Sequence, residues 1–157
     1  MKKTFLLAAM GLLASQAFGQ LIVGNDQSGT ATIYNVNVDT GVATPVYAAS
    51  ASNAKPWGMA ADNVNNILYW NNGSNLYSAT YASLLSGIPI INTVGMTYLG
   101  NTVIFVGLGY NPSTGRLLAT RNIATESVYE IDPAMERIAR NPDWFTYLKD
   151  SEAKVNV

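Results

Sequence analysis

The strongest constraint on the fold of this chain is that it resembles itself. Gly58-Met-Ala-Ala-Asp62-Asn-Val-Asn-Asn-Ile-Leu68-Tyr69 aligns without a gap on Gly107-Leu-Gly-Tyr-Asn111-Pro-Ser-Thr-Gly-Arg-Leu117-Leu118, at an offset of 49 residues. Both segments read glycine, three small or apolar positions, an Asp or Asn opening a turn, and an apolar pair. Each is followed by a polar turn and an apolar-Tyr pair, Leu76-Tyr77 and Val128-Tyr129. Leu21-Ile22 and Ile33-Tyr34 repeat the latter half of the pattern nearer the N-terminus.

The physical sense of the unit is a four-stranded meander. Its glycine opens a first strand in a place where a side chain would clash, the Asp/Asn turn leads to a second strand, and the tyrosine marks a third that turns into a fourth. Periods of 40–50 residues with four strands each are those of β-propeller blades. Gly95-Met96 to Val106 also resembles Gly58 to Trp70 with a two-residue deletion. We take Gly107 as the start of the third unit and 95–101 as a linking turn. A β-sandwich with accidental self-similarity is the competing architecture.

Charge distribution supports a β fold. From Gln20 to Gly115 the only charged residues are Asp26, Asp39, Lys55 and Asp62, whereas the rest of the chain is rich in them. Polar positions in the first stretch are Asn, Thr, Ser, Gly and Tyr, which suit strands and turns better than helix interiors. Strands are expected at Leu21–Gly24, Thr30–Val38, Val42–Tyr47, Ile67–Trp70, Leu76–Thr80, Thr102–Leu108, Arg116–Thr120 and Ser127–Ile131, with Asn71–Ser74 as a turn. Asn72-Gly-Ser74 also fits a glycosylation acceptor, but a hairpin turn is the reading adopted.

The first nineteen residues form an address. Lys2 and Lys3 precede an apolar run from Phe5 to Leu13, and small residues allow cleavage after Ala17 or Gly19. This is the layout of a secretory signal peptide, with an apolar run too short to span a bilayer. The expected protein is therefore secreted or periplasmic, with no transmembrane span in the mature chain.

Here a family resemblance enters. Val128-Tyr129-Glu130-Ile131-Asp132-Pro133 and Ile33-Tyr34-Asn35-Val36-Asn37-Val38-Asp39-Thr40-Gly41 resemble the "LY-x-ID-x-x-TG" strand pair of secreted bacterial propellers. Gly107 to Thr120 resembles their "GL-a-x-DP-x-TG-x-LYAT" element. The group includes YVTN/NHL-like and SMP-30-like propellers, and the resemblance spans roughly residues 21–140. It implies an all-β, β-propeller-like array of four-stranded antiparallel meanders and implies little about function.

Length then limits the array. The 138 or so residues left after a cleavage at Gly19 hold about three blades, where a closed ring needs four or more. The expectation is an incomplete or open array, about three blades of a longer propeller. An open stack that tolerates its sheet edges, or pairs them with another copy, is the alternative. Residues 20–140 would form the repeat region, and 141–157 a C-terminal tail, either a short helix or a truncated blade.

The chemistry available is restricted. The chain has no histidine and no cysteine, which removes imidazole and thiol catalysis, disulfides and the usual zinc sites. A net charge of −1 with scattered basic residues offers no nucleic-acid footprint. Asn35-x-Asn37-x-Asp39 does not continue as a calcium loop, since Thr40 and Val46 stand where glycine and a carboxylate are needed. Glu126, Glu130 and Asp132 are the carboxylates with spacing for acid–base work, and a solvated salt-bridge face is the simpler reading. Asp62 and Asn111 hold matching repeat positions, where SMP-30-like hydrolases would invite a search for metal ligands, but they are turn formers and no metal or cofactor is assigned. Trp57, Trp70 and Tyr110 are the candidate ligand-binding residues, as stacking surfaces at a blade rim, while packing between blades is the preferred role for the two tryptophans. The expected function is an exported non-catalytic binding or scaffold module. The alternative is a metal-dependent hydrolase or lyase on the same scaffold, with part of its site in further blades.

Overall fold

Alternating apolar and polar residues between Gly, Asn and Asp turns leave the chain little choice but short antiparallel strands, and these assemble into several small sheets. The computed structural model describes residues 21–25, 32–48, 55–121 and 128–134, and the backbone of 137–141. The expected signal peptide, residue Glu126 and the tail beyond Asn141 lie outside the described residues.

The first sheet contains β1 (Leu21–Gly24), β2 (Ile33–Val36) and β3 (Ala43–Tyr47). The second contains β4 (Gly58–Asp62), β5 (Ile67–Asn72), β6 (Asn75–Thr80) and β7 (Asn92–Gly95), with a one-turn helix, α1 (Tyr81–Leu85), between its last two strands. A two-stranded hairpin follows, β8 (Thr97–Tyr98) and β9 (Asn101–Thr102). The third large sheet contains β10 (Gly107–Asn111), β11 (Arg116–Thr120), β12 (Val128–Asp132) and β13 (Arg137–Asn141). Every strand pairs antiparallel with its sequence neighbour, and no strand pairing joins these sheets into a closed ring among the described residues. The fold is thus mostly β, with two four-stranded meanders, one three-stranded sheet and one hairpin.

The two four-stranded meanders start in the same register. Gly58 faces Asn71 and Asp62 faces Ile67, while Gly107 faces Thr120 and Asn111 faces Arg116. The residue before each glycine makes the same additional bond: the Trp57 amide donates to the Asn71 carbonyl (2.8 Å) and the Val106 amide to the Thr120 carbonyl (2.9 Å).

Several local expectations need correction. Thr102–Leu108 is not one strand: β9 ends at Thr102, Phe105 forms an isolated bridge to Gly73, and β10 begins at Gly107. The reason is burial, since Phe105 is fully enclosed and its amide donates to the Gly73 carbonyl at 3.0 Å. The segment 95–101 is more than a linking turn, because β7 ends at Gly95 and β8 pairs with β9. The Asn71–Ser74 turn shrinks to Gly73-Ser74, since Asn72 pairs with Asn75. Gly73 has φ +58°, as the first residue of a two-residue hairpin of this kind requires. Asn141 belongs to β13 rather than to a tail. Helix α1, absent from an all-β expectation, is capped by the Thr80 hydroxyl, which accepts from the Ser83 amide at 3.1 Å, and is anchored by buried Leu84.

The core lies between the sheets, in two layers. One cluster joins Ile33 of the first sheet, with partly buried Ile22 and Tyr47, to Leu68, Trp70, Tyr77 and Ala79 of the second. The other joins Ala60, Tyr69 and Leu76 of the second sheet to Leu117, Ala119, Tyr129 and Ile131 of the third, with Met96, Val103 and Phe105 filling the space beside them. Each large sheet therefore has a leading face, turned toward the preceding sheet, and a trailing face, turned toward the next. Period-two alternation along β5 and β11 divides the residues between these faces.

Candidate functional site

Trp57 stands immediately ahead of β4, and the segment Lys55–Trp57 is tied by its backbone at two points to the end of β5. Its amide donates to the Asn71 carbonyl, and the Asn72 side-chain amide donates to the Lys55 carbonyl at 2.6 Å. The indole lies over the Gly73 turn, where an added Cβ would sit 3.6 Å from the ring. This support fixes one edge of the ring while the side chain remains 49% exposed. A half-exposed tryptophan held against backbone is a preorganised apolar surface, since little side-chain entropy remains to be lost on binding.

The ring forms one wall of an open cleft of about 460 Å³ lined by Gly24, Asn25, Pro56, Trp57 and Val106. The end of β1 forms another wall. Gly24 must be glycine there, because a Cβ would run into Pro56 at 2.6 Å and into the Met59 sulfur. Trp57 and Val106 precede the opening glycines of β4 and β10, so the cleft lies where the first strands of two sheets begin. Among the described residues no charged side chain lines it, and the indole offers a ligand an apolar face there.

The three residues singled out in the sequence are not brought together. Trp57 lines the cleft. Trp70 is fully buried, stacked on Tyr77 with centroids 5.7 Å apart and packed against Tyr47 at 5.8 Å, the packing role rather than the rim one. Its position in β5 points it at the first sheet, where it fills the core and offers nothing to solvent. Tyr110 belongs to the contact between the second and third sheets, stacked on Tyr69 at 6.3 Å with its hydroxyl bonded to the Asp62 carboxylate. Donation to that carboxylate and partial burial raise the Tyr110 pKa. Gly24, Asn25, Pro56 and Val106 were missed as site residues. Val106 was within reach, since it stands at the repeat position of Trp57.

Asp62 is 2% exposed and closes the turn after β4. Burial acts to raise its carboxyl pKa, but hydrogen bonds from the Asn65 side chain and amide, the Tyr110 hydroxyl and the Val64 amide outweigh it, and the pKa falls below the ordinary 3.8. A depressed pKa in the folded state stabilises the fold above the unfolded value and loses that contribution as pH falls through the folded value. Asp62→Asn should therefore unfold at lower denaturant than the parent at pH 7, and the gap should narrow below about pH 4. Urea titrations at pH 3 and 7 check this; a gap of the same size at both would show that the charge plays no part.

The remaining candidates for chemistry are occupied locally. The Asn111 side-chain oxygen accepts from the Ser113 amide at 3.0 Å, a turn role like that of Asp62. Glu130 pairs with Arg116 at 2.7 Å across β11 and β12, and the Asp132 carboxylate accepts from the Ala134 amide at 3.0 Å. Among the described residues no three His, Cys, Asp or Glu side chains converge as a metal site. Among them too, no helix is long and apolar enough to cross a membrane. No protein-family model matches the chain, and no curated protein matches it.

Proposed function

We propose that this chain is an exported, non-catalytic binding module of β-propeller type that recognises its ligand in the cleft beside Trp57. The observation that carries the reading is the half-exposed indole, braced on Gly73 and walling a cleft that no charged side chain lines among the described residues. The propeller assignment is supported by the shared hairpin register, by the glycine-led first strands, and by the close approach of Gly58 to the backbone of Gly107 and Leu108. The ligand class that fits is a neutral saccharide, whose C–H face stacks on the indole.

Calorimetric titration with neutral oligosaccharides of glucose and of N-acetylglucosamine should show binding, and reads wild type and variant alike. Trp57→Ala should weaken binding about tenfold or more, the size of a lost aromatic stack plus its contact area, and should leave thermal stability nearly unchanged. Binding that survives Trp57→Ala with unchanged affinity would remove the cleft from consideration.

A further inference from the structure

Among the described residues the stack of sheets has two uncovered ends, and the chemistry of one matches the chemistry of the other. Cross-strand pairs make the comparison direct. Val23 faces Tyr34 in the first sheet as Trp70 faces Tyr77 in the second and Ala119 faces Tyr129 in the third. Leu21 faces Val36 as Leu68 faces Ala79 and Leu117 faces Ile131. These are the leading-face positions. In the second and third sheets all eight residues are buried, none more than 4% exposed, whereas Leu21 is 48% and Val23 40% exposed. The leading face of the first sheet carries the same apolar pattern with nothing packed on it among the described residues.

At the other end lies the trailing face of the third sheet. Its Leu118 and Val128 hold the repeat positions of Tyr69 and Leu76, and of Ile22 and Ile33 in the first sheet. Ile33, Tyr69 and Leu76 are buried against the following sheet, while Leu118 and Val128 are only partly buried. Of the charged residues on that face, Arg116 and Glu130 neutralise each other at 2.7 Å, Asp132 stands opposite Arg137 in the pairing of β12 with β13, and strands β1–β3 carry no charge. The two end faces can thus meet without stranding an unpaired charge.

We propose that a second copy of this chain covers the leading face of the first sheet with the trailing face of its own third sheet. The contact continues the packing already made twice inside the chain. It is heterologous, so it either closes or propagates. Propeller rings run from about four to eight sheets. The described residues of two copies hold six large sheets, within that range, and those of three copies exceed it, so the closed form of these sheets is a dimer with two such contacts. The inference does not depend on ligand binding at Trp57, and loss of one leaves the other standing.

Sedimentation equilibrium of the purified full chain tests it, together with Val23→Lys and Leu118→Lys, one on each end face. Wild type should be a dimer at micromolar concentration. Each variant should dissociate at least about a hundredfold more readily, because a lysine there would be buried without a partner. An equimolar mixture of the two variants should recover dimer, since one intact leading face then meets one intact trailing face. That recovery also shows that both variants are folded. A wild-type monomer at several hundred micromolar would overturn the proposal. So would a dimer indifferent to both substitutions, or a mixture no more associated than its components.

Discussion

Trp70→Ala should remove about 3–5 kcal/mol of stability, the range for deleting a large aromatic side chain from a core. The indole is fully enclosed, lies nearly parallel to the Tyr77 ring at 16°, and is tilted by 52° against Tyr47. It belongs to a cluster with Ile33, Leu68, Ala79 and Leu84, so its loss opens a cavity at the junction of the first and second sheets and the short helix. A domain of this size has roughly 5–15 kcal/mol in total, so the variant should lie near the edge of folding at 37 °C. Trp70→Phe keeps a stacked ring and should lose much less. Urea unfolding followed by far-UV circular dichroism measures both; a loss below about 1 kcal/mol for the alanine variant would mean that Trp70 is not in the core.

Gly58→Ala and Gly107→Ala should differ, although the two glycines hold the same repeat position. A Cβ on Gly58 would sit 2.8 Å from the backbone nitrogen of Leu108, 3.2 Å from the carbonyl carbon of Gly107 and 2.8 Å from the Asn71 side-chain oxygen. Two of these atoms are main chain, so the methyl must push β4 and β10 apart at the closest approach of the second and third sheets. Neither glycine has positive φ, so space alone decides the outcome. The expected cost at Gly58 is about 1–3 kcal/mol, as for other overpacked sites. At Gly107 the only close atom is the Thr120 hydroxyl oxygen, at 2.5 Å, which can rotate away. There the cost should stay near or below about 1 kcal/mol, partly offset by the reduced freedom of the unfolded chain. Equal losses at the two positions would remove the close approach of β4 and β10 as the cause.

The same environment explains an unusual atom. The Asn71 side chain is fully buried and donates to the Phe105 carbonyl at 2.7 Å, but its oxygen has no hydrogen-bond partner among the described residues. Its counterpart in the third sheet is Thr120, whose hydroxyl crosses over Gly107 in the same way. A polar side chain across the strand pair rests on a bare glycine in both cases.

What could be read from the residues followed their periodicity. Alternation along Ile67–Trp70 and Arg116–Thr120, the Asp62 and Asn111 turns, and the offset between Gly58 and Gly107 were all legible, because strand pairing and turn formation act over a few neighbouring residues. The one-turn helix at Tyr81–Leu85 was not, since five residues are too few for a helical period to register. Phe105 was not either, for a different reason. Alternation places it in a strand, while the empty volume beside Tyr98 and Tyr129 draws it into the core, with ring centroids 5.3 Å from Tyr129.

The candidate site divides along the same line. That Trp57 and Trp70 are aromatic surfaces beside strands is a property of the sequence. Which of them meets solvent depends on which face of β5 is covered, and that is fixed by a sheet more than twenty residues away in the chain. Antiparallel meanders, their turns and the glycines that begin them are written in the local sequence, since these depend on local sterics and hydrogen bonding. That Trp70 is core, that Trp57 walls a cleft, and that the apolar pattern of Leu21 and Val23 is left exposed among the described residues came from packing. Burial belongs to the pairing of distant faces, and no local pattern specifies which faces will meet.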